Sequence, residues 1–305
     1  MKRLNPLNDY LVQKYLGEKG DEVQLMSLLN AILQKTQKKK IVSLEILENK
    51  VLTADTINEK KVILDVRAVL EDNTRVNLEV QVKNVGRMDI RSLFYFSREL
   101  SKCIDEGQEY DELPNVIVIN ILDYEFLPID KVHAVFHLWE DEEKHKLTDV
   151  LEMHFIDMVK FRRLKEKDIE RNVLHRWLTF FNKSATEEEL KEVLVKELGI
   201  RKAQDKIDLV SRDKDAMRLY EARQIGIMDY NSGMSYARRE GRTEGLAEGR
   251  TEGLAEGLAE GRNQAMLEVA RKMLVNKIPV ALIVETTGFD EGVVFALQKE
   301  RPPSF

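Results

Sequence analysis

The 305 residues are 43% apolar and 33% charged and carry a net charge of −6, the composition of a globular protein long enough for two domains or for one large domain with appendages. The longest apolar runs, such as Val116-Ile117-Val118-Ile119, are too short to span a membrane, and a single cysteine, Cys103, excludes an internal disulfide. Met1 to Asp9 lacks the apolar core of a signal peptide, so a cytoplasmic protein is expected.

In chain order, residues 8–16 and 21–34 have helical spacing, the second with a wide apolar stripe that includes Leu25, Leu28, Leu29 and Ile32. Ile41 to Leu52 is a predicted strand, and strands at about 61–70 and 75–84 follow it. Arg87 to Asp105 reads as a helix. Asn115 to Leu122 has the near-continuous apolar run of a strand buried on both faces, and Val132 to Trp139 reads as a further strand. The order helix, three strands, helix, strand predicts an α/β core with mixed pairing.

Beyond about residue 150 the reading is helical throughout, over Leu151–Lys160, Arg171–Asn182, Glu187–Leu198 and Lys214–Met228, with a break at Asn231-Ser232-Gly233. Gly241, Gly245, Gly249, Gly253, Gly257 and Gly261 then recur every four residues, nearly one helical turn. Six glycines cost a helix on the order of 5 kcal/mol relative to alanine. The segment is therefore either a flexible tether or a helix ordered in an oligomer. Met266 to Lys299 closes the chain with helices around Thr287-Gly288-Phe289, an arrangement like a helix-turn-helix whose last helix has few basic residues. The expected divisions are a core over 1–150, a helical extension over 151–232, a glycine-repeat arm over 233–262, helical or flexible, and a small helical tail over 263–305.

The chemistry concentrates in the pair of strands at 61–70 and 75–84. Val76, Leu78, Val80 and Val82 alternate with polar residues, the period of a half-buried strand, and Glu71-Asp72-Asn73-Thr74 supplies turn chemistry for an antiparallel hairpin. Glu79, Gln81 and Lys83 then share one face, and Asp65 stands on the neighbouring strand. Two carboxylates, an amide and an amine on one ridge suit Mg²⁺ or Mn²⁺, hard ions that take oxygen ligands. The alternative is a solvated sheet face with cross-strand charge pairs, Arg67 to Glu79 for instance.

Other features carry less. His133 and His137 share a strand face, but no acid or cysteine at ligand spacing joins them, so zinc is not expected. His145, His154 and His175 fall on helices or loops and read as structural, and Trp139 and Trp177 read as core anchors. No phosphate-binding glycine loop is present. The basic runs Gln34–Lys40 and Lys160–Lys165 are solvated surface unless they meet phosphates, and the net charge argues neither way.

The helix–three-strand–helix–strand order with Asp65 and Glu79-x-Gln81 resembles the PD-(D/E)XK nuclease superfamily, and more narrowly the recombination-promoting nuclease and transposase family of bacteria. The likeness also rests on Asn8-Asp9-Tyr10-Leu11-Val12, Arg91-Ser92-Leu93-Phe94-Tyr95, Gly107-Gln108-Glu109-Tyr110-Asp111-Glu112-Leu113, Trp177-Leu178-Thr179-Phe180-Phe181 and the terminal Glu-Gly repeats. The resemblance implies a restriction-endonuclease-like α/β fold, a mixed sheet flanked by helices and followed by an all-helical C-terminal region. It implies a Mg²⁺- or Mn²⁺-dependent DNA endonuclease linked to recombination or transposition. Asp65 and Glu79 would be metal ligands, Asp9 a further ligand from the first helix, and Gln81 would stand where the superfamily usually has lysine, with Lys83 two residues on. Partners would be DNA and further copies of the chain, joined through the glycine-repeat arm, and no membrane. The missing lysine keeps a second expectation open, a catalytically impaired nuclease fold acting as a nucleic-acid-binding or assembly module.

Overall fold

The computed structural model describes residues 3–37, 39–47, 66–84, 86–104, 107 and 109–299. The first elements are helices α1 (Asp9–Leu16) and α2 (Glu22–Leu33), then strands β1 (Leu44–Leu47), β2 (Val66–Leu70) and β3 (Arg75–Gln81), helix α3 (Met88–Ser101), and strands β4 (Val116–Leu122), β5 (His133–Phe136) and β6 (Leu151–Asp157). Helices α4 (Met158–Arg163), α5 (Val173–Phe181), α6 (Glu187–Lys196), α7 (Leu198–Arg212), α8 (Lys214–Val275), α9 (Val280–Thr287) and α10 (Glu291–Lys299) complete the chain. The six strands form one sheet in the order β1-β2-β3-β4-β6-β5. β1, β2 and β3 pair antiparallel, β3, β4 and β6 parallel, and β5 antiparallel to β6. The expected α/β architecture, a mixed sheet flanked by helices with a helical C-terminal region, is present.

The hairpin expectation holds for its described part. Val66 faces Leu78 and Val69 faces Arg75. The turn between them closes through Leu70 N to Thr74 O at 2.9 Å and Asn73 N to Leu70 O at 3.0 Å. Asn73 takes φ 66, a left-handed conformation that asparagine tolerates better than most residues.

β3 is not half-buried: Val76 to Val80 are all buried. Leu78 and Val80 join a large core with α1, α2, α5 and α7, centred on Tyr15, Leu28, Trp177 and Phe180. The other face of the sheet, through Val116, Val118 and Met153, packs on Met88 and Phe96 of α3. An alternating strand has become a central one, because helices cover both faces. Against α2, the start of α7 approaches so closely that a Cβ at Gly199 would lie 2.5 Å from Ser27 Cβ. Trp177 anchors this core and donates from Nε1 to Ser27 Oγ at 3.0 Å, whereas Trp139 is half exposed and lies outside the core.

Two segments depart from expectation. Leu151–Asp157 is a strand, and only Met158–Arg163 of the predicted Leu151–Lys160 helix is helical. Leu151, Met153 and Phe155 face the α3 side, while Glu152, His154 and Ile156 face the other. Burial on both sides hides the period of two behind a mixed apolar pattern. The sheet therefore continues past residue 150. At Asn231-Ser232-Gly233 the helix α8 continues where a break in it is expected, although the division between compact units falls there. Residues 1–231 and 232–305 form two compact units. In the second, Ala270, Ile283, Val294 and Leu297 make a small core of their own.

Candidate metal centre

The register of parallel strands decides what faces what. Glu79 lies level with Asn120, and Asn120 with Phe155, so Glu79 points to the α3 side of the sheet. α3 begins a few residues after β3 ends and packs over β4, the strand beside β3. Arg91 therefore reaches Glu79, its Nη2 donating to Oε1 at 2.5 Å, while Arg91 Nε donates to the Tyr95 hydroxyl at 2.5 Å. The Arg91 guanidinium also lies 5.2 Å from the centre of the Tyr95 ring. Beside them Ser92 Oγ meets Asn120 Oδ1 at 3.0 Å, and Asn120 Nδ2 donates to the His154 carbonyl at 3.1 Å.

Glu79 is only 1% exposed. Burial pushes its carboxyl up to about 7, against the opposing charge of Arg91. Among the described residues its second oxygen, Oε2, has no hydrogen-bond partner; nor have the Tyr124 hydroxyl and both amide atoms of Asn77, all buried. Tyr124 follows β4 and lies close enough to Glu79 that the carboxylate, after burial, helps push the phenol up to about 12. Each orphaned buried polar atom costs about 1–3 kcal/mol. A run of them on one strand face is the signature of a site built for something else to complete. Carboxylate and amide oxygens are the donors that a hard divalent cation takes, so these residues fit Mg²⁺ or Mn²⁺.

The solvated-face alternative does not hold at Glu79, which is buried and paired with Arg91. Arg67 instead faces Asn77 on β3 and lies 3.8 Å from Glu99. Gln81 is half-buried at the strand end, its carbonyl accepting from Asp123 N at 3.0 Å. Lys83 is turned to α8: its Nζ donates to the Gly226 carbonyl at 2.7 Å and sits 5.1 Å from the Tyr230 ring centre. Asp9, at the start of α1, has Oδ2 3.8 Å from Arg223 Nε, also on α8. Asp65 lies outside the described residues. No three His, Cys, Asp or Glu side chains among the described residues group where they could hold a metal ion.

Arg91 and Tyr124 were not predicted as members of the site. A signal for Arg91 existed, since an arginine in the first turns of a helix directly after the acidic strand is placed to fold back onto it. Tyr124 had a weaker one, as the residue beyond the end of the strand parallel to β3. The α8 contacts left none.

An α/β sheet that carries a buried acid on the second strand of a hairpin, with a helix crossing over to the next parallel strand, defines a nuclease-like protein of the PD-(D/E)XK fold. The chain belongs to the PD-(D/E)XK nuclease family transposases, whose family model matches residues 6–237. Comparisons with curated proteins and with solved structures gave no significant match. Among the described residues no helix is long and apolar enough to cross a membrane.

Proposed function

We propose that the chain is a Mg²⁺- or Mn²⁺-dependent DNA endonuclease of the cytoplasm, acting in recombination or transposition by hydrolysing phosphodiester bonds. The observation that carries this reading is Glu79, buried, protonatable near neutrality and with one oxygen unpaired among the described residues. The metal would be held by Glu79, by Asp65 and, from α1, by Asp9. Val66 and Leu78 face one another, and Asp65 and Glu79 are their immediate chain neighbours. When bound, the ion lowers the pKa of its water and neutralises the phosphate. The chain's own residues do the rest. Gln81 orients the attacking water, the protonated Tyr124 hydroxyl donates a hydrogen bond toward the phosphate, and Arg91 holds Glu79 in place. Lys83, engaged with Gly226, clamps α8 over the strand end.

The exposed Leu246, Leu254 and Leu258 beside the glycine row of α8 support self-association through the arm, which would supply a second active site for the second strand. The test of catalysis is plasmid cleavage with Mg²⁺ or Mn²⁺, against Asp65→Ala and Glu79→Gln. Cleavage that survives both substitutions sinks the assignment. Light scattering of Leu254→Asp tests the arm, with a smaller species expected.

One observation favours a second reading. Arg91 already neutralises Glu79, and no lysine stands at position 81. A protein that binds DNA yet takes up no Mn²⁺ at millimolar concentration would be a nuclease-fold binding or assembly module.

A further inference from the structure

A second polar cluster lies on the opposite face of the sheet. Leu78, Ile119 and His154 share a row across β3, β4 and β6, so His154 faces away from the Glu79 side. There a groove of about 630 Å³ opens between the end of α2, β5 and the start of α5, a size suited to a small organic ligand. Ile32, Phe136 and Leu174 form apolar parts of its wall, and Lys35, Lys131, His133 and His175 its polar parts. Nothing in the nuclease reading uses it.

Hydrogen bonds set the role of each ring. Burial works against the Glu152 charge, but hydrogen bonds with His154, Thr36 and His137 bring the carboxyl down to about 2. Glu152 therefore only accepts, and His154 Nε2, 2.6 Å from it, carries the hydrogen. In the tautomer with its hydrogen on Nε2, His154 Nδ1 is an acceptor and His133 Nε2, 2.8 Å away, donates. That leaves the His133 Nδ1 lone pair available for a proton, backed by a carboxylate through a second imidazole. On α5, His175 Nδ1 accepts from Asp168 N at 3.0 Å, which puts its hydrogen on Nε2. Lys35 stands near enough to both rings for its charge to oppose their protonation.

We propose that this groove binds a phosphate monoester, with Lys35, Lys131 and the His175 Nε2–H donating to its oxygens and His133 taking a proton from solvent at Nδ1 as the dianion arrives. Two lysines, a neutral donor and a ring able to gain a charge match a dianion better than the single charge of a diester. The apolar wall takes the body of the ligand, a free mononucleotide or the end of a nucleic acid strand. In the free protein burial above all, with the charge of Lys35 adding to it, holds His133 down to about 4; Glu152 opposes them. His133 is thus neutral near pH 7, and a bound dianion favours its protonation.

The test is calorimetry of the full-length chain with inorganic phosphate, adenosine monophosphate, adenosine, and an oligonucleotide with a 5′-phosphate or a 5′-hydroxyl, in buffers of different ionisation heat near neutral pH. Binding of the phosphorylated ligands with proton uptake, and none of adenosine, is expected. Lys35→Glu, at the exposed rim, should weaken it about tenfold or more. His133→Gln should abolish the proton uptake, and Glu79→Gln should change neither. A free nucleotide is the source if the 5′-phosphate adds nothing to oligonucleotide binding, and a strand end if it does. Absence of phosphate and nucleotide binding at millimolar concentration, indifference to Lys35→Glu, or loss in Glu79→Gln would each overturn the proposal.

Discussion

Glu79 and Glu152 are two acids on opposite faces of one sheet, driven in opposite directions. Glu79 has one cation, Arg91, and an unpaired oxygen among the described residues, and burial lifts it to about 7. Glu152 is held by His154, His137 and Thr36 and sits at about 2. Burial penalises both charges; the number of hydrogen bonds returned decides the sign. A satisfied carboxylate is a finished piece of structure, and an unsatisfied one is poised to take a ligand.

The largest effect that tests this contrast is on chemistry. Glu79→Gln should lower metal-dependent cleavage by roughly a thousandfold or more, about 4 kcal/mol of transition-state stabilisation, measured by plasmid nicking. Its unfolding free energy in urea at neutral pH should be no lower than that of the parent, since a strained buried charge is removed. A large loss of stability instead would make Glu79 structural and erase the contrast.

Glu152 should behave the other way round. Glu152→Ala leaves His154 and His137 without their acceptor and should cost about 3 kcal/mol of stability, read as a lower urea midpoint, while the folded fraction still cleaves. Below the ordinary carboxylate range the parent should show the same weakness: the Glu152 contribution is present above about 4.5 and is lost as pH falls toward about 2.

The pH response of Glu79 has the opposite sign. A carboxyl raised from 4.5 to about 7 contributes stability that is full below 4.5 and lost as pH rises through about 7. Metal must displace that proton, so Mn²⁺ affinity should rise by up to about tenfold per pH unit up to neutrality and level off above it. Titration by calorimetry at several pH values checks this. Affinity that is flat from pH 5 to 8 would mean that Glu79 is not a ligand.

What the sequence showed of this contrast depended on distance along the chain. The hairpin register was legible because Val76, Leu78 and Val80 alternate and Asn73 marks the turn, and the acid on β3 was legible with it. The burial of Glu79 was not, because it depends on α3 covering this face of the sheet at β4 and on Arg91 reaching back. The His133–His154–Glu152 chain was invisible for a related reason. The spacing of Leu151 to Lys160 reads as helix and does not set Glu152 and His154 beside β5, whereas the fold puts them on the neighbouring strand and supplies the acid that the His133 and His137 face lacks in sequence.

The smallest effect concerns Lys83, the amine predicted to share the ridge with Glu79. Its ammonium has a carbonyl at 2.7 Å and an aromatic face at 5.1 Å, both on α8, and Tyr230 in turn donates from its hydroxyl to the Asn84 carbonyl at 3.1 Å. These contacts are exposed, so Lys83→Met should cost no more than about 1 kcal/mol, a shift of a few degrees at most in a thermal melt. Cleavage should fall far less than in Glu79→Gln. An amine that activates water must be free to approach it, and this one is spent on holding a helix. If Lys83→Met abolishes cleavage as fully as Glu79→Gln while the melt stays put, the lysine leaves Gly226 when substrate binds. The ridge that the alternating strand suggested is then the working arrangement.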